Sequence, residues 1–286
     1  MSLFFVDSGC ELDSTQIRNL GIECINLPYE INNEVKEFGE NFDFDKFYSK
    51  LRKGVVLNLC PLKSEEYVKI LEPALEGGDD IIVVHSSNEI FSNKGLLDAV
   101  ATLKDIYPDR LIELIDSKNM SAGTGVVCYE LAKMYHSGAT IQEIVDASLD
   151  IINTTACYMI VDSLEPLSYN GVVDSSLVIG SSLNIKLIIA IDIDGKVRLI
   201  DKVSGRKRAI AKLVQIIRQE GKNVADNTII VSNSNLTSES ADLVSTLKEY
   251  FGDSLKLIEC RITPSNAVLL GCGSMGVAFK VHRKIH

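Results

Sequence analysis

The sequence has few of the features that mark membrane, secreted or low-complexity proteins. No apolar run approaches the roughly 18 residues that a membrane-spanning helix needs. Residues 1–7 lack the basic segment of a secretory signal, and their apolar run is too short for one. Prolines number only 6, and no stretch has a biased composition. We therefore predict an ordinary globular protein that lies in the cytoplasm and inserts into no membrane.

Recognisable catalytic and metal-binding patterns are missing as well. No serine stands in a Gly-x-Ser-x-Gly elbow, and no histidine, cysteine or carboxylate spacing matches a metal site. Residues 271–276 fit Gly-x-Gly-x-x-Gly, but a dinucleotide site would need an acidic residue about 20 positions further on, beyond the last residue. We interpret this segment as a tight turn. The sequence therefore predicts no catalytic residue, no metal and no cofactor.

Cysteine usage and charge narrow the class of protein further. The 7 cysteines are odd in number, scattered and never spaced as Cys-x-x-Cys, which favours reduced thiols. Against 29 lysines and arginines stand 39 acidic residues, giving a net charge of −10. Since contact with phosphates requires a basic surface, nucleic acid is excluded as the expected partner. A length of 286 residues with 46% hydrophobic content predicts two domains with a substantial core.

The first half of the chain alternates short apolar strands with amphipathic helices. Residues 44–51 and 64–75 carry apolar side chains at the three- and four-residue spacing of one buried helix face. Residues 80–84 form an unbroken apolar run, typical of a strand that is buried on both faces. This alternation predicts a parallel sheet with right-handed crossovers. We expect a doubly wound α/β/α domain over residues 1–155.

The second half has a different pattern. Asp194 and Gly195 lie between two runs of alternating apolar residues, as in a tight β-hairpin turn, which predicts antiparallel pairing. Further strands and helices follow up to residue 281. We therefore predict a two-layer α/β domain with a mixed sheet over residues 156–286, and an α/β fold for the whole chain.

Polar residues follow three of the predicted strands at the point where each strand ends. These strand ends are Asp7-Ser8, His85-Ser86-Ser87 and Asp116-Ser117. In an open parallel sheet, ligands bind outside the carboxyl ends of the strands. The loop from residue 86 to residue 95 is polar and longer than the connection requires. Ser86 is therefore a candidate ligand-binding residue.

Several short motifs, in this order along nearly the whole chain, resemble the DegV family of bacterial fatty-acid-binding proteins. They are residues 6–12 (Val-Asp-Ser-Gly-Cys-Glu-Leu), 115–118 (Ile-Asp-Ser-Lys), 121–125 (Ser-Ala-Gly-Thr-Gly), 183–186 (Leu-Asn-Ile-Lys), 194–196 (Asp-Gly-Lys), 206–209 (Arg-Lys-Arg-Ala) and 271–279 (Gly-x-Gly-x-x-Gly-Val-Ala-Phe). The resemblance implies that an acyl chain lies in a tunnel between two domains. It also implies that hydroxyl groups on two loops of the N-terminal domain hold the carboxylate.

The family's head-group motifs fall on specific residues of this chain. Its Thr-Ser-x-Pro-Ser loop corresponds to residues 58–62, which places the amide of Asn58 where the family has a threonine. Its Ser-Gly-Thr loop corresponds to residues 92–94, so that the resemblance assigns Ser92 and Asn93 to the ligand. Its Gly-Gly-Arg segment corresponds to residues 170–172, which includes Gly171.

Two departures from the family pattern bear on partners. Val172 stands where the family has an arginine implicated in engaging a fatty acid kinase. Leu269 stands where the family has a histidine before the terminal glycine turn. The resemblance therefore implies binding of a long-chain fatty acid without chemistry, and a poor partner for such a kinase.

Two other functions fit the same residues. The strand-end loops suit an enzyme or sensor that binds a small phosphorylated or carboxylated metabolite, because helix N-termini bind anions. Such a protein needs a compact polar pocket, whereas a lipid needs a long apolar cavity. An acidic scaffold that contacts another protein is a third reading.

Overall fold

The computed structural model describes residues 2–178 and 184–286, so that Leu183 of the motif at residues 183–186 lies outside it. The elements of the first half are, in chain order, β1 (Ser2–Asp7), α1 (Ser14–Leu20), β2 (Glu23–Ile25), β3 (Tyr29–Ile31), β4 (Glu34–Lys36), α2 (Phe44–Leu51), β5 (Leu57–Leu59), α3 (Ser64–Glu76), β6 (Asp80–His85), α4 (Lys94–Ile106), β7 (Ile112–Asp116), α5 (Ala122–His136) and α6 (Ile141–Asn153). Those of the second half are β8 (Thr155–Val161), α7 (Glu165–Tyr169), β9 (Ile185–Ile191), β10 (Val197–Ser204), α8 (Arg206–Glu220), β11 (Ile229–Asn233), α9 (Thr237–Phe251), β12 (Leu257–Arg261), α10 (Pro264–Leu270) and β13 (Met275–Lys280).

The first half contains the predicted parallel sheet, with strand order β2-β1-β6-β7. Successive residues of a strand point to opposite faces, and both faces of this sheet are covered. Ile81 and Val83 pack with the apolar faces of α3 and α4. Ile82 and Val84 belong to a core cluster that includes α1 and α5. The doubly wound α/β/α architecture is thus confirmed.

A small antiparallel sheet, with strand order β4-β3-β5, was not predicted. Asn32 and Asn33 connect β3 to β4 and both have positive φ, 53° and 62°, as in the turns that favour two-residue hairpins. Next to the hairpin, the Tyr29 ring packs edge to face with the rings of Phe42 and Phe47. This sheet extends the first half beyond the doubly wound core.

The second half forms a six-stranded mixed sheet, with order β10-β9-β8-β13-β11-β12. The predicted hairpin at residues 194–195 joins β9 to β10 as an antiparallel pair, and Gly195 has a φ of 89°. The β11–β12 pair is parallel, whereas the other pairs are antiparallel. Helices α8 and α9 cover one face of the sheet. The predicted mixed α/β domain is therefore confirmed, while the exact domain boundary at residues 155–156 stays a prediction.

Helix α5 lies between the two sheets and joins their cores. It packs against β1 on one side and against β8, β11 and β13 on the other. A helix that is apolar all round is expected in such a buried position. A Cβ on Gly125 would lie 2.6 Å from the Cys10 carbonyl oxygen and 3.1 Å from Ile230 Cδ1. Through α5, apolar residues of the two domains therefore form one continuous core cluster.

Within the described ranges, no helix has the length and apolar character required to cross a bilayer.

Candidate functional site

The three polar strand ends lie side by side at the carboxyl edge of the parallel sheet. Val6 of β1 is paired with Val84 of β6, and His85 is paired with Asp116 of β7. Because parallel strands end at the same edge, the residues that follow them come together. The predicted convergence of these strand ends is therefore present in the structure.

Asp7 and Ser86 form the centre of this edge. The Asp7 carboxylate accepts hydrogen bonds from the backbone N–H groups of Gly9 (2.8 Å) and Ser86 (2.7 Å), and from the Ser86 hydroxyl (3.1 Å). Both side chains are buried. Burial raises the pKa of Asp7, while the bonds from Ser86 and Gly9 and the nearby His85 oppose that rise. Ser86 lies where it was predicted, with its hydroxyl hydrogen-bonded to Asp7.

Ser92 and Asn93 lie beside this centre at the start of α4. The Asn93 amide donates to the Ser86 carbonyl oxygen (2.9 Å) and to Asn88 Oδ1 (3.0 Å). It also lies 3.2 Å from His85 Nδ1. Ser92 is exposed. The structure therefore brings Ser86, Ser92 and Asn93 into one region.

Asn58 lies in β5, at the start of the predicted head-group loop at residues 58–62. Its amide donates to Glu30 Oε1 across the small sheet at 2.7 Å. Further along this loop, the Leu62 carbonyl oxygen lies so close to Gly95 that a Cβ there would clash with it. The loops at residues 58–62 and 92–95 therefore touch, but the Asn58 amide itself is bonded to Glu30.

Gly171 and Leu269 lie on the C-terminal side of the interface. Gly171 is exposed and has a φ of 74°, whereas Leu269 is fully buried on α10. Helix α10 packs against both α7 and β5. Val172, next to Gly171, packs against the same core as Leu269. Leu269 therefore contributes buried apolar surface on a helix that contacts β5, and Val172 packs against the same core.

A buried polar pair, Glu11 and Asn266, joins the two domains and was not predicted from the sequence. Glu11 follows β1 with a φ of 63°, and its carboxyl accepts from the Thr263 backbone N–H (2.5 Å) and from Asn266 Nδ2 (2.8 Å). Burial raises the pKa of Glu11 to about 8 against these stabilising hydrogen bonds. Glu11 belongs to a motif that we had noted, but nothing in the sequence linked it to Asn266, which is 255 residues away.

A cavity of about 590 Å³ opens at the same interface. Its walls come from residues 11–44 of the first domain and residues 259–263 of the second. Leu12, Ile17 and Phe38 provide apolar surface. Seven of the lining residues are charged, namely Glu11, Asp13, Arg18, Glu23, Glu40, Glu259 and Arg261. Pockets of about 300–1,000 Å³ are the usual size for small-molecule sites. Asn266 donates to both Glu11 and the Gly9 carbonyl oxygen and so links the cavity wall to the polar edge, whereas Ser86, Ser92, Asn93 and Asn58 do not line the cavity.

Metal chemistry has no candidate in the part of the chain that the structure describes, where no group of three or more histidines, cysteines or carboxylates could hold an ion. All seven cysteines are free thiols. Burial raises the pKa of Cys128, Cys157 and Cys260. The contact with Cys128 raises the pKa of Cys10, and burial adds to that rise. These thiols are therefore protonated at neutral pH and act as core residues.

Comparison with known sequences gives matches along nearly the whole chain. Residues 4–281 match the model of the uncharacterised DegV protein family. The chain is 27% identical over 256 residues to a DegV domain-containing protein of Clostridium perfringens, with 87% of each chain covered. It is 26% identical over 271 residues to one of Caldanaerobacter subterraneus, with 93% of this chain and 91% of that one covered.

Solved structures with the same fold include proteins that hold fatty acids. A DegV family protein of Ruminococcus gnavus with vaccenic acid has a TM-score of 0.85 at 20% identity, covering 97% of this chain and 99% of that one. A Eubacterium eligens protein loaded with heptadecanoic acid has a TM-score of 0.84 at 18% identity, covering 98% and 100%. The Fatty Acid Kinase (Fak) B3 protein of Streptococcus pneumoniae, loaded with linoleic acid, has a TM-score of 0.81 at 17% identity, covering 98% and 100%.

Proposed function

Because residues 4–281 match its family model, this chain belongs to the DegV family, and we propose that it binds a long-chain fatty acid between its two domains. The fatty acids in the similar structures support this ligand class. The observation on this chain that carries the proposal is an interdomain cavity of about 590 Å³ that the hydrogen bonds of Asn266 link to the polar sheet edge. An acyl chain fits the first, and a carboxyl head group fits the second.

The head group lies on the loops of the N-terminal domain in this proposal. Ser92 and Asn93 face it from the start of α4, and Ser86 supports them through its bonds to Asp7 and Asn93. Asn58 acts indirectly, since its amide holds Glu30. Leu269 and the segment at Gly171 supply apolar walls on the opposite domain.

The acyl chain supplies most of the binding free energy. Burial of a chain of about 16 carbons contributes roughly 0.8 kcal/mol per CH₂, a gross of about 12 kcal/mol. A neutral hydrogen bond to the head group adds about 0.5–1.5 kcal/mol. The tail therefore sets the affinity, and the head-group contacts set the orientation.

The protein binds its ligand without reacting with it, in the cytoplasm, and presents it poorly to a fatty acid kinase. The polar residues of the site are hydrogen-bonded to one another rather than arranged as a nucleophile with its base, which supports a binding role. Val172 cannot make the two-pronged contact that a guanidinium makes with a carboxylate or phosphate.

Chain-length dependence tests this function. Delipidated protein is titrated with hexadecanoic acid and with octanoic acid, which share the head group. Loss of about eight CH₂ groups should weaken binding by several orders of magnitude, because each contributes about 0.8 kcal/mol. Equal affinity for both acids, or binding of a short phosphorylated metabolite in place of either, would contradict lipid binding and favour a compact anion site.

A further inference from the structure

A second cavity adjoins the interdomain cavity. Its volume is about 520 Å³, and its walls come from β3, β4, α2 and the segment that connects β4 to α2. Tyr29, Ile31 and Phe47 give it apolar surface, whereas the charged residues that line it are exposed at its rim. Residues 38–40 line both cavities. The two cavities are therefore neighbours that this short segment separates.

Three phenylalanine rings form the partition between the cavities. The Phe38 ring centroid lies 5.0 Å from that of Phe42 and 6.1 Å from that of Phe44. The centroids of Phe42 and Phe44 lie 4.9 Å apart. Phe42 lines the second cavity and Phe44 lines the interdomain cavity, whereas Phe38 lines both. These three rings, the phenylalanine wall, therefore stand between the two cavities.

The phenylalanine wall is held from both domains. Glu40 forms an ion pair with Arg18 of α1. Arg261, at the end of β12, lies over the Phe44 ring with its Cζ 5.5 Å from the centroid, which is within the range of a cation–π contact. Phe38 itself is half-buried and lies between β4 and α2, outside any strand or helix. Substitution of Phe38 therefore changes the partition with little effect on the surrounding elements.

The interdomain cavity offers an acyl chain an apolar path towards this wall. Its charged lining residues other than Glu11 are exposed, whereas Leu12 and Ile17 are buried. Glu11 is the lining residue that Asn266 links to the polar edge. A chain whose head group lies at that edge therefore passes Glu11, and its methyl end points away from the edge.

We propose that the phenylalanine wall, and Phe38 above all, sets the longest acyl chain that the protein binds. This inference rests on the proposed lipid binding and specifies the ligand as a chain whose methyl end meets the Phe38 ring. A longer chain has to leave its last CH₂ groups in water, and each of them forgoes about fourfold in affinity. Removal of the Phe38 ring joins the two cavities, so that a longer chain continues between Tyr29 and Phe47.

Competition between acids of different length tests the inference. Delipidated protein is incubated with equimolar hexadecanoic and docosanoic acid, which differ only in chain length, and native mass spectrometry gives the ratio of the two complexes. The wild type should prefer hexadecanoic acid. Phe38→Ala should raise the ratio of docosanoic to hexadecanoic complex by about tenfold, since about two further CH₂ groups buried in the second cavity contribute roughly fifteenfold.

A larger ring should have the opposite effect. Phe38→Trp extends the wall into the interdomain cavity and should shift the preference from hexadecanoic towards tetradecanoic acid, by about fourfold for each CH₂ group that no longer fits. The melting temperature of each variant shows whether it folds. If Phe38→Ala fails to fold, Phe38→Trp decides alone.

Phe251→Ala is the matched control. Phe251 is also half-buried, but it packs against the core beneath α8 and α9, and it does not belong to the described residues that line the two cavities. The ratio of complexes in Phe251→Ala should therefore equal that of the wild type. An equal rise in Phe251→Ala and Phe38→Ala would contradict the inference, because loosened packing in general would then set the chain length.

The outcomes separate this inference from the proposed function. A wild type that binds the acids, with a ratio of complexes that neither Phe38 variant changes, would overturn the role of the wall and leave lipid binding intact. Absence of every acid from the spectra of the folded wild type would overturn lipid binding itself.

Discussion

Substitution of Ser92 tests the head-group loop with little disturbance of the fold. It is exposed at the start of α4, so its hydroxyl is available to the carbonyl oxygen of a bound acid. Ser92→Ala should weaken binding of hexadecanoic acid by about 1 kcal/mol, roughly fivefold, and leave the melting temperature unchanged. Ser49→Ala, at an exposed position of α2, is the control and should leave the affinity unchanged. Unchanged affinity in Ser92→Ala would place the head group elsewhere.

The raised pKa of Glu11 predicts that the stability of the fold depends on pH. Its pKa is about 8 in the folded protein and 4.5 as the ordinary value, so the folded state binds more protons than the unfolded state between these values. Stability from this group is therefore complete below about pH 4.5 and is lost as the pH rises towards 8, by up to about 1.4 kcal/mol per pH unit. Glu11→Gln cannot titrate and should remove this slope.

The effect of Glu11 is measured by urea denaturation of the wild type and of Glu11→Gln between about pH 5 and 7.5. Other titrating groups, such as Asp7, contribute equally to both proteins and cancel in the difference between their free energies of unfolding. The wild-type free energy of unfolding should fall relative to that of Glu11→Gln as the pH rises. A difference that is constant with pH would show that Glu11 is ionised in the folded protein.

Single residues of the site were predictable only where a local pattern marked them. Ser86 follows a buried strand, and Ser92 and Asn93 match a family motif, so the sequence predicted all three as ligand-binding residues, which stays a prediction. Glu11 and Asn266 meet only through the packing of the two domains, and no spacing in the sequence encodes that contact. The hydrogen bond from the Asn58 amide to Glu30 likewise depends on the strand register of the small sheet.

Among the elements, length and periodicity decided what could be predicted. Helices α2 and α3 have several turns and a clear apolar periodicity, and both were predicted to within one residue. The strands β3, β4 and β5 have three residues each, too few for an alternation to be recognised. The helices α7 and α10 are 5 and 7 residues long and were missed for the same reason.

Helix α5 gives a prediction at the scale of the element. Alanine normally stabilises a helix by about 1 kcal/mol relative to glycine. At Gly125 a methyl group would meet the Cys10 carbonyl oxygen at 2.6 Å, so Gly125→Ala should instead lower the free energy of unfolding by about 1–3 kcal/mol. Gly39→Ala, where no other atom lies within 4 Å, is the control and should change stability little. Stabilisation by Gly125→Ala would show that α5 does not pack tightly against the Cys10 backbone.

For the whole molecule, the alternation of elements in the first half and the hairpin signal in the second predicted the fold class. The interdomain cavity was expected only from the family resemblance, because its walls come from segments more than 200 residues apart. Periodicity identifies which face of an element is buried, but not how two domains pack.

The kinase partner is also a question for the whole molecule. Lipid-loaded protein mixed with a fatty acid kinase and ATP should give slow acyl-phosphate production, because positioning and charge neutralisation dominate phosphoryl transfer. Val172→Arg should raise the rate, with Leu269→His added in a second variant. Tyr169→Arg adds the same charge at a position that is 84% exposed and should not. Wild-type turnover equal to that of a family member with both the arginine and the histidine would contradict this prediction.

The identity of the natural ligand tests the central claim most directly. Native mass spectrometry of freshly purified protein, followed by denaturation, gives the mass of what is released. We predict a fatty acid of about 14–18 carbons, a length at which burial at about 0.8 kcal/mol per CH₂ sustains binding through purification. Release of only a polar metabolite, or of nothing from gently purified and folded protein, would contradict the account.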